Sequence, residues 1–117
     1  MSKILIVDDD KATATLLRTL FEIEGMECAI CSRADEVVGD ARREHPDLLL
    51  MDAHLAEVDS LGILREIKQD DALGSMPVVI VSGMDRGGEF IGAGAADFVL
   101  KPFKPADLMT VLKRHLS

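Results

Sequence analysis

Three aspartates in this chain of 117 residues occupy positions where a phosphoryl group and a metal ion could meet. Asp8 and Asp9 directly follow the apolar run Ile4–Val7, and Asp52 directly follows a second apolar run, Leu48–Met51. Carboxylates are almost never fully buried unless they are paired or bound to a cation, so these positions require a partner of opposite charge. Taken alone, Asp52 is better explained as a turn-forming residue, and only the other polar residues reverse that interpretation.

Repulsion between the carboxylates predicts a bound cation. Two carboxylates about 4 Å apart repel each other by about 4 kcal/mol at an effective dielectric constant near 20. Ligands that offer only oxygen favour a hard divalent ion, so we expect Mg²⁺, with Mn²⁺ as a substitute. A metal ion held by one or two carboxylates keeps open positions that phosphate oxygens can fill.

Two further polar residues also follow apolar runs. Ser82 comes after Val78–Val81, and Lys101 comes after Phe98–Leu100. A lysine is a mobile point charge suited to phosphate, and a serine hydroxyl can bond to a phosphoryl oxygen. Asp52 is then a nucleophile of the kind that forms an aspartyl phosphate. Catalysis by such a site would consist of positioning and of neutralising charge.

The elements that must position these residues alternate along the chain. Segments of helical periodicity separate five predicted strands, at Ile4–Val7, Glu27–Cys31, Leu48–Met51, Val78–Val81 and Phe98–Leu100. This alternation predicts an α/β fold, a doubly wound parallel sheet with helices on both faces. In such sheets ligands bind beyond the carboxyl ends of the strands. All the polar residues described above follow strands, so they are expected along one edge of the sheet.

The fourth helix is predicted to be short or irregular. Its segment, residues 84–96, contains four glycines. Each glycine costs about 0.8–1 kcal/mol relative to alanine in a helix interior, and only Phe90 and Ile91 offer much burial to offset this cost. We therefore expect one or two helical turns near Glu89, or an irregular segment.

The composition excludes several classes of function. The chain has 13 basic and 21 acidic residues, a net charge of −8, which disfavours nucleic-acid binding by this domain. We find no apolar run of membrane-spanning length and no signal peptide, so we expect a single cytoplasmic domain over residues 1–117 that binds no membrane. Cys28 and Cys31 form a C-x-x-C motif inside a predicted strand, so we expect buried, inert thiols rather than a redox pair or half a zinc site.

Four motifs, in order and at about the family's spacing, resemble those of the response-regulator receiver domains of two-component signal transduction, including the chemotaxis receivers. They are Ile4–Asp10, Met51–Asp52, Val81–Gly83 and Lys101–Phe103. The resemblance covers the whole chain and implies a flavodoxin-like sheet of five parallel strands in the order 2-1-3-4-5.

The resemblance also implies roles around the phosphoacceptor. Asp52 would take phosphate from a histidine kinase or a phosphotransfer protein. Asp9 and Asp52 would bind Mg²⁺ through their side chains, His54 through its backbone carbonyl, and Asp8 mainly through water. His54 and Met84 occupy positions that tune the lifetime of the phosphate in this family.

A second set of roles concerns signalling. Lys101 would pair with the phosphate, and Ser82 would bond to it after phosphorylation. Phe98 occupies the position of the family's switch aromatic residue, so Ser82 and Phe98 would form the switch. Lys101–Pro102 would be a cis peptide bond. Ala56 and Ser60 depart from the pattern, because the family usually has proline and glycine there, so the loop after Asp52 is expected to be shaped differently.

The leading hypothesis is a signalling module that catalyses only its own phosphorylation and dephosphorylation. Phosphorylation would shift a two-state equilibrium and with it the affinity for an output domain or target protein. We expect a monomer or weak dimer. One alternative is a haloacid-dehalogenase-type phosphohydrolase, which would have an aspartate at position 54. Another is a pseudo-receiver that binds partners without phosphate and would lack an acidic or lysine position.

Overall fold

Five helices and seven strands make up the computed structural model, which describes residues 2–116. The strands are β1 Lys3–Val7, β2 Glu27–Cys31, β3 Leu48–Asp52, β4 His54–Leu55, β5 Val58–Asp59, β6 Val78–Ser82 and β7 Asp97–Leu100. The helices are α1 Lys11–Ile23, α2 Val37–Glu44, α3 Ser60–Gln69, α4 Gly87–Gly92 and α5 Pro105–Arg114, with a single 3₁₀ turn at Ala34–Glu36 before α2.

Five of the strands form one parallel sheet in the order β2-β1-β3-β6-β7. Counted within the sheet alone, this order is 2-1-3-4-5, so the predicted flavodoxin-like topology is confirmed. The central strands β1, β3 and β6 are buried on both faces because helices cover both sides of a parallel sheet.

Alternate residues of each central strand enter different hydrophobic cores. In β1, Leu5 and Val7 pack into the core under α2, α3 and α4, whereas Ile4 and Ile6 pack into the core under α1 and α5. The two cores hold the strands from both sides, which fixes where each strand ends. Polar residues at those ends are therefore presented along one edge of the sheet.

Aspartates cap two of the helices next to that edge. The Asp10 side chain accepts hydrogen bonds from the backbone N–H groups of Ala12 and Thr13, at 3.0 and 3.2 Å, at the start of α1. Asp59 accepts one from the N–H of Leu61, at 3.0 Å, at the start of α3. Such caps satisfy N–H groups that have no partner within the helix. Asp10 and Asp59 thus have structural roles.

A short hairpin that the sequence analysis did not predict follows Asp52. Its strands β4 and β5 have two residues each and pair antiparallel, His54 with Asp59 and Leu55 with Val58. At the turn, Ala56 has a φ angle of +56°, in the left-handed region that non-glycine residues seldom adopt. Strands of two residues are too short to show an alternating pattern, so periodicity could not reveal them.

Helix α4 has six residues, which confirms that the fourth helix is short. Phe90 holds it to the core: its side chain is fully buried and its ring lies 6.2 Å from that of Phe98. Ile91, which was expected to contribute burial, is 48% exposed. The helix is therefore anchored by a single large side chain.

Arg86 joins α4 to the loop that follows Asp52. Its guanidinium forms ion pairs with Asp59, at 2.9 Å, and with Glu89, at 2.8 Å. It also lies 4.9 Å above the ring of Phe90, a cation–π contact. These contacts partly offset the helix-breaking tendency of the glycines.

The two cysteines lie in β2 and point toward different cores, as predicted for residues three apart in a strand. Cys31 is buried and Cys28 half-buried. Burial raises the pKa of each thiol to about 11, and the thiolate is the reactive form, so both thiols are expected to stay protonated near neutral pH. Within residues 2–116, no helix combines the length and the hydrophobicity needed to cross a membrane.

Candidate functional site

The carboxyl ends of β1, β3, β6 and β7 bring four of the predicted residues to one edge of the sheet. Asp52 is the last residue of β3 and pairs in register with Val81 of β6. Ser82 ends β6, and Lys101 directly follows β7. Asp8 directly follows β1, the other neighbour of β3. The predicted edge is therefore formed.

Both carboxylate oxygens of Asp52 are held by hydrogen bonds. Oδ2 lies 2.5 Å from Nζ of Lys101, and Oδ1 accepts a hydrogen bond of 2.9 Å from the N–H of His54. The Asp52 side chain is 15% exposed, so it is shielded but reachable. A partly buried carboxylate in this arrangement can act as a nucleophile. The neighbouring lysine amine can offset the repulsion between the carboxylate and an electrophile that carries negative charge.

Asp8 is the most buried carboxylate of the site, at 6% exposure. Burial raises its pKa above the usual range, and the negative charge of Asp52 raises it further. A hydrogen bond of 2.9 Å from the N–H of Asp10 and the charge of Lys101 act in the opposite direction. The net increase in pKa therefore comes mainly from burial, and the nearby carboxylate of Asp52 adds to it.

Asp9 is exposed, and its side chain turns toward the hairpin. Its Oδ2 accepts a hydrogen bond of 2.9 Å from the N–H of Ala56. A proline at position 56, which the family usually has, could not donate this bond because proline has no N–H. The departure at Ala56 therefore gives Asp9 a protein partner.

Oxygen atoms from this edge are the candidate ligands for a divalent cation. Among residues 2–116, no three acidic, histidine or cysteine side chains gather around one point in a metal-ligating arrangement. Asp9 instead contacts Ala56, and Asp52 contacts Lys101. The chemistry of the donors nevertheless fits Mg²⁺, because Asp8, Asp9 and Asp52 offer carboxylate oxygens, which are the ligands that this hard cation prefers.

Ser82 and Lys101 are adjacent across the last two strands of the sheet. The N–H of Lys101 donates a hydrogen bond of 2.7 Å to the carbonyl of Ser82. Ser82 is 2% exposed, and its hydroxyl oxygen accepts a hydrogen bond of 3.0 Å from the N–H of Met84. The Lys101–Pro102 peptide bond is cis, as predicted.

The remaining predicted residues surround the edge. His54 is exposed at the start of the hairpin, and Met84 is 62% exposed. Phe98 is half-buried and stacks on Phe90 of α4, so it contacts an element that a switch could move. The roles of these three residues in phosphate lifetime and switching stay predictions.

Sequence reasoning assigned no role to two residues that contact this region. Ser60 is fully buried and donates a hydrogen bond of 2.5 Å from its hydroxyl to the backbone carbonyl of Asp52. Its only signal in the sequence was that it replaces the family's usual glycine. Arg86, which pairs with Asp59 across 27 residues, had no signal in the sequence.

Replacing Asp8 with asparagine is expected to stabilise the metal-free protein at pH 7. A carboxyl whose pKa is raised in the folded state favours folding when protonated, and this contribution is lost as the pH rises through the folded-state pKa. Asp8→Asn should therefore raise Tm by a few degrees at pH 7, and the difference should shrink toward pH 4.

Thermal unfolding followed by circular dichroism would measure this difference, with Asp71→Asn, at an exposed position, as the matched control. Adding Mg²⁺ should raise the Tm of the unsubstituted protein more than that of Asp8→Asn, because a ligand that binds the folded state more tightly stabilises it more at a given concentration. A lower Tm for Asp8→Asn at pH 7 without metal would contradict this account.

Comparisons with known proteins agree with this geometry. A family model described as the response regulator receiver domain matches residues 4–113. The phosphate regulon transcriptional regulatory protein PhoB of Rhizobium meliloti is 31% identical over 119 residues, covering 99% of this chain and 52% of that protein. The receiver domain of NtrX from Brucella abortus is 32% identical with a TM-score of 0.87, covering 97% of both chains.

A further solved structure shares the fold at lower identity. The chemotaxis response regulator CheY4 of Vibrio cholerae has a TM-score of 0.91 at 20% identity, covering 99% of both chains. Among the curated relatives, the chain spans about half of their length, 52% for the PhoB protein and 48% for the transcriptional regulatory protein PhoP of Bacillus subtilis.

Proposed function

Because the chain belongs to the response regulator receiver domain family, we propose that it is a phosphoacceptor in two-component signalling and that Asp52 receives the phosphate. The contact of 2.5 Å between Lys101 and Asp52 is the observation that carries this proposal. It joins two residues 49 positions apart at the edge of the sheet where ligands bind. Receiver domains of response regulators are signalling domains rather than classical enzymes.

In the proposed reaction, a carboxylate oxygen of Asp52 attacks the phosphorus of a phosphohistidine. The new O–P bond forms as the P–N bond breaks, and the histidine nitrogen of the donor takes up a proton. Lys101 lies close enough to Asp52 for its amine to form an ion pair with the phosphoryl oxygens after the transfer. The His54 N–H holds the other carboxylate oxygen, so the attacking group is oriented before the donor arrives.

A divalent cation, when bound, would neutralise the charge that the phosphoryl group brings to an already acidic edge. The carboxylates of Asp8, Asp9 and Asp52 and the backbone carbonyl of His54 are the groups that would hold Mg²⁺, or Mn²⁺ in its place. Asp8 is the most buried of the three carboxylates, so water neutralises its charge least and a cation beside it would replace that lost solvation.

Signalling would follow from the residues around Asp52. The Ser82 hydroxyl, now an acceptor for the N–H of Met84, would donate to a phosphoryl oxygen after phosphorylation. Phe98 stacks on Phe90, so a change at Ser82 can reach α4 through adjacent packing. The domain would act in the cytoplasm, and its partners would be a sensor histidine kinase or phosphotransfer protein and an output domain or target protein. The net charge of −8 argues against nucleic-acid binding by this domain itself.

Intact-mass measurement after incubation with acetyl phosphate tests the proposal. With Mg²⁺ we expect the mass of one phosphoryl group to be added, with the label mapping to the peptide that contains Asp52. Chelation with EDTA should prevent the addition. No uptake under any condition would favour the phosphate-independent pseudo-receiver, and catalytic release of phosphate from added phosphomonoesters would favour a phosphohydrolase.

A further inference from the structure

Ser60 binds the backbone of the phosphoacceptor. It is the first residue of α3 and is fully buried. Its hydroxyl donates to the carbonyl of Asp52 at 2.5 Å, and its N–H donates to the carbonyl of Ala53 at 2.8 Å. Two consecutive carbonyls at the end of β3 are thus bound by one residue. Glycine at position 60 could make only the second of these bonds.

These two bonds close the loop that follows Asp52. The β4–β5 hairpin lies between the bonded ends, with His54 paired to Asp59. Asp59 caps α3, so the closed loop is joined directly to the start of a helix of ten residues. Because α3 packs on the core, its first residue is held in a fixed position. The hydrogen bonds of Ser60 therefore fix the end of β3 relative to α3.

The contact with Ser60 differs from the other contacts of Asp52. Lys101 and the His54 N–H hold the carboxylate oxygens, which are the atoms that take part in phosphoryl transfer. The Ser60 hydroxyl holds the main chain and stays clear of the reacting atoms. It can therefore keep Asp52 in place while Lys101 changes partners. Phosphoryl transfer depends strongly on positioning, and a displacement of about 1 Å can reduce a rate about 100-fold.

We infer that Ser60 is a positioning residue for phosphorylation, whose buried hydroxyl fixes the backbone of Asp52 so that its carboxylate faces the incoming phosphoryl group. The inference rests on the proposed function and adds to it a residue that does not touch the substrate. It assigns to the serine at this position a task that glycine cannot perform.

The test compares Ser60→Ala and Ser60→Gly with the unsubstituted protein. Phosphorylation by acetyl phosphate in the presence of Mg²⁺ is measured at a temperature where circular dichroism shows every variant folded. We expect the maximal rate to fall about tenfold in both variants, with the half-saturating acetyl phosphate concentration changing less than about twofold. Thr19→Ala removes an exposed hydroxyl that bonds to a helix carbonyl at 3.0 Å and should leave both values unchanged.

The outcomes separate this inference from the proposed function. If the unsubstituted protein takes up no phosphate, the proposed function fails and the role of Ser60 falls with it. If the unsubstituted protein is phosphorylated and the folded Ser60 variants match its maximal rate, only the positioning role is overturned. A lower Tm with an unchanged maximal rate would likewise show a purely structural residue. If Ser60→Ala does not fold, Ser60→Gly, which carries the residue usual in the family, decides the question.

Discussion

Replacing Asp52 with asparagine is expected to abolish phosphate uptake, with labelling by acetyl phosphate falling by about 1000-fold or more. An amide lacks the anionic oxygen that attacks phosphorus, and among the described carboxylates at this edge of the sheet only that of Asp52 is paired with a lysine. Lys101 would also lose the ion pair that holds it at the site. Intact mass after timed incubation with acetyl phosphate and Mg²⁺ measures the effect.

Asp71→Asn is the matched control, because it makes the same chemical change at an exposed position outside the site. It should be labelled at the rate of the unsubstituted protein. Equal labelling of Asp52→Asn and the unsubstituted protein would show that phosphate goes to another residue, and peptide mapping would then identify that residue.

Replacing Phe90 with alanine is expected to lower the free energy of unfolding by about 3–5 kcal/mol. Phe90 is fully buried, stacks on Phe98 and lies under the guanidinium of Arg86. It is also the only buried residue of α4, so its loss removes the attachment of the whole helix. Urea denaturation followed by circular dichroism measures the change.

Ile91→Ala provides the control in the next residue of the same helix. Ile91 is 48% exposed, so its truncation should cost less than about 1 kcal/mol. Hydrogen exchange should show that the amides of residues 87–92 lose protection in Phe90→Ala and keep it in Ile91→Ala. Similar free-energy losses in the two variants would mean that α4 does not depend on Phe90.

The topology was predictable because its signals are strong and local. Leu48–Met51 and Val78–Val81 are continuous apolar runs, which is how strands buried on both faces of a parallel sheet read in sequence. Once those strands were placed, the edge that holds Asp52, Ser82 and Lys101 followed from the direction of parallel strands. The short fourth helix was predictable because its glycines lie close together in the sequence.

Contacts within the site were less accessible to sequence reasoning. The hydrogen bond from Ala56 to Asp9 joins residues 47 positions apart and depends on one backbone N–H in a left-handed conformation. The sequence showed only that Ser60 stands where the family usually has glycine. Its burial and its hydrogen bond to Asp52 depend on tertiary packing, which the sequence does not reveal. Ile91 was expected to be buried but is exposed, because a helix of six residues shows too little periodicity to define which face packs on the core.

Arg86 shares its one positive charge between Asp59, in the loop after the proposed phosphoacceptor Asp52, and Glu89 in α4. A shift of that loop on phosphorylation would change how strongly the guanidinium holds α4. Thermodynamic linkage makes such coupling reciprocal, so a protein that binds α4 more tightly after phosphorylation would favour the phosphorylated state of Asp52 by the same factor. Output partners that bind α4 would then influence how readily the domain is phosphorylated.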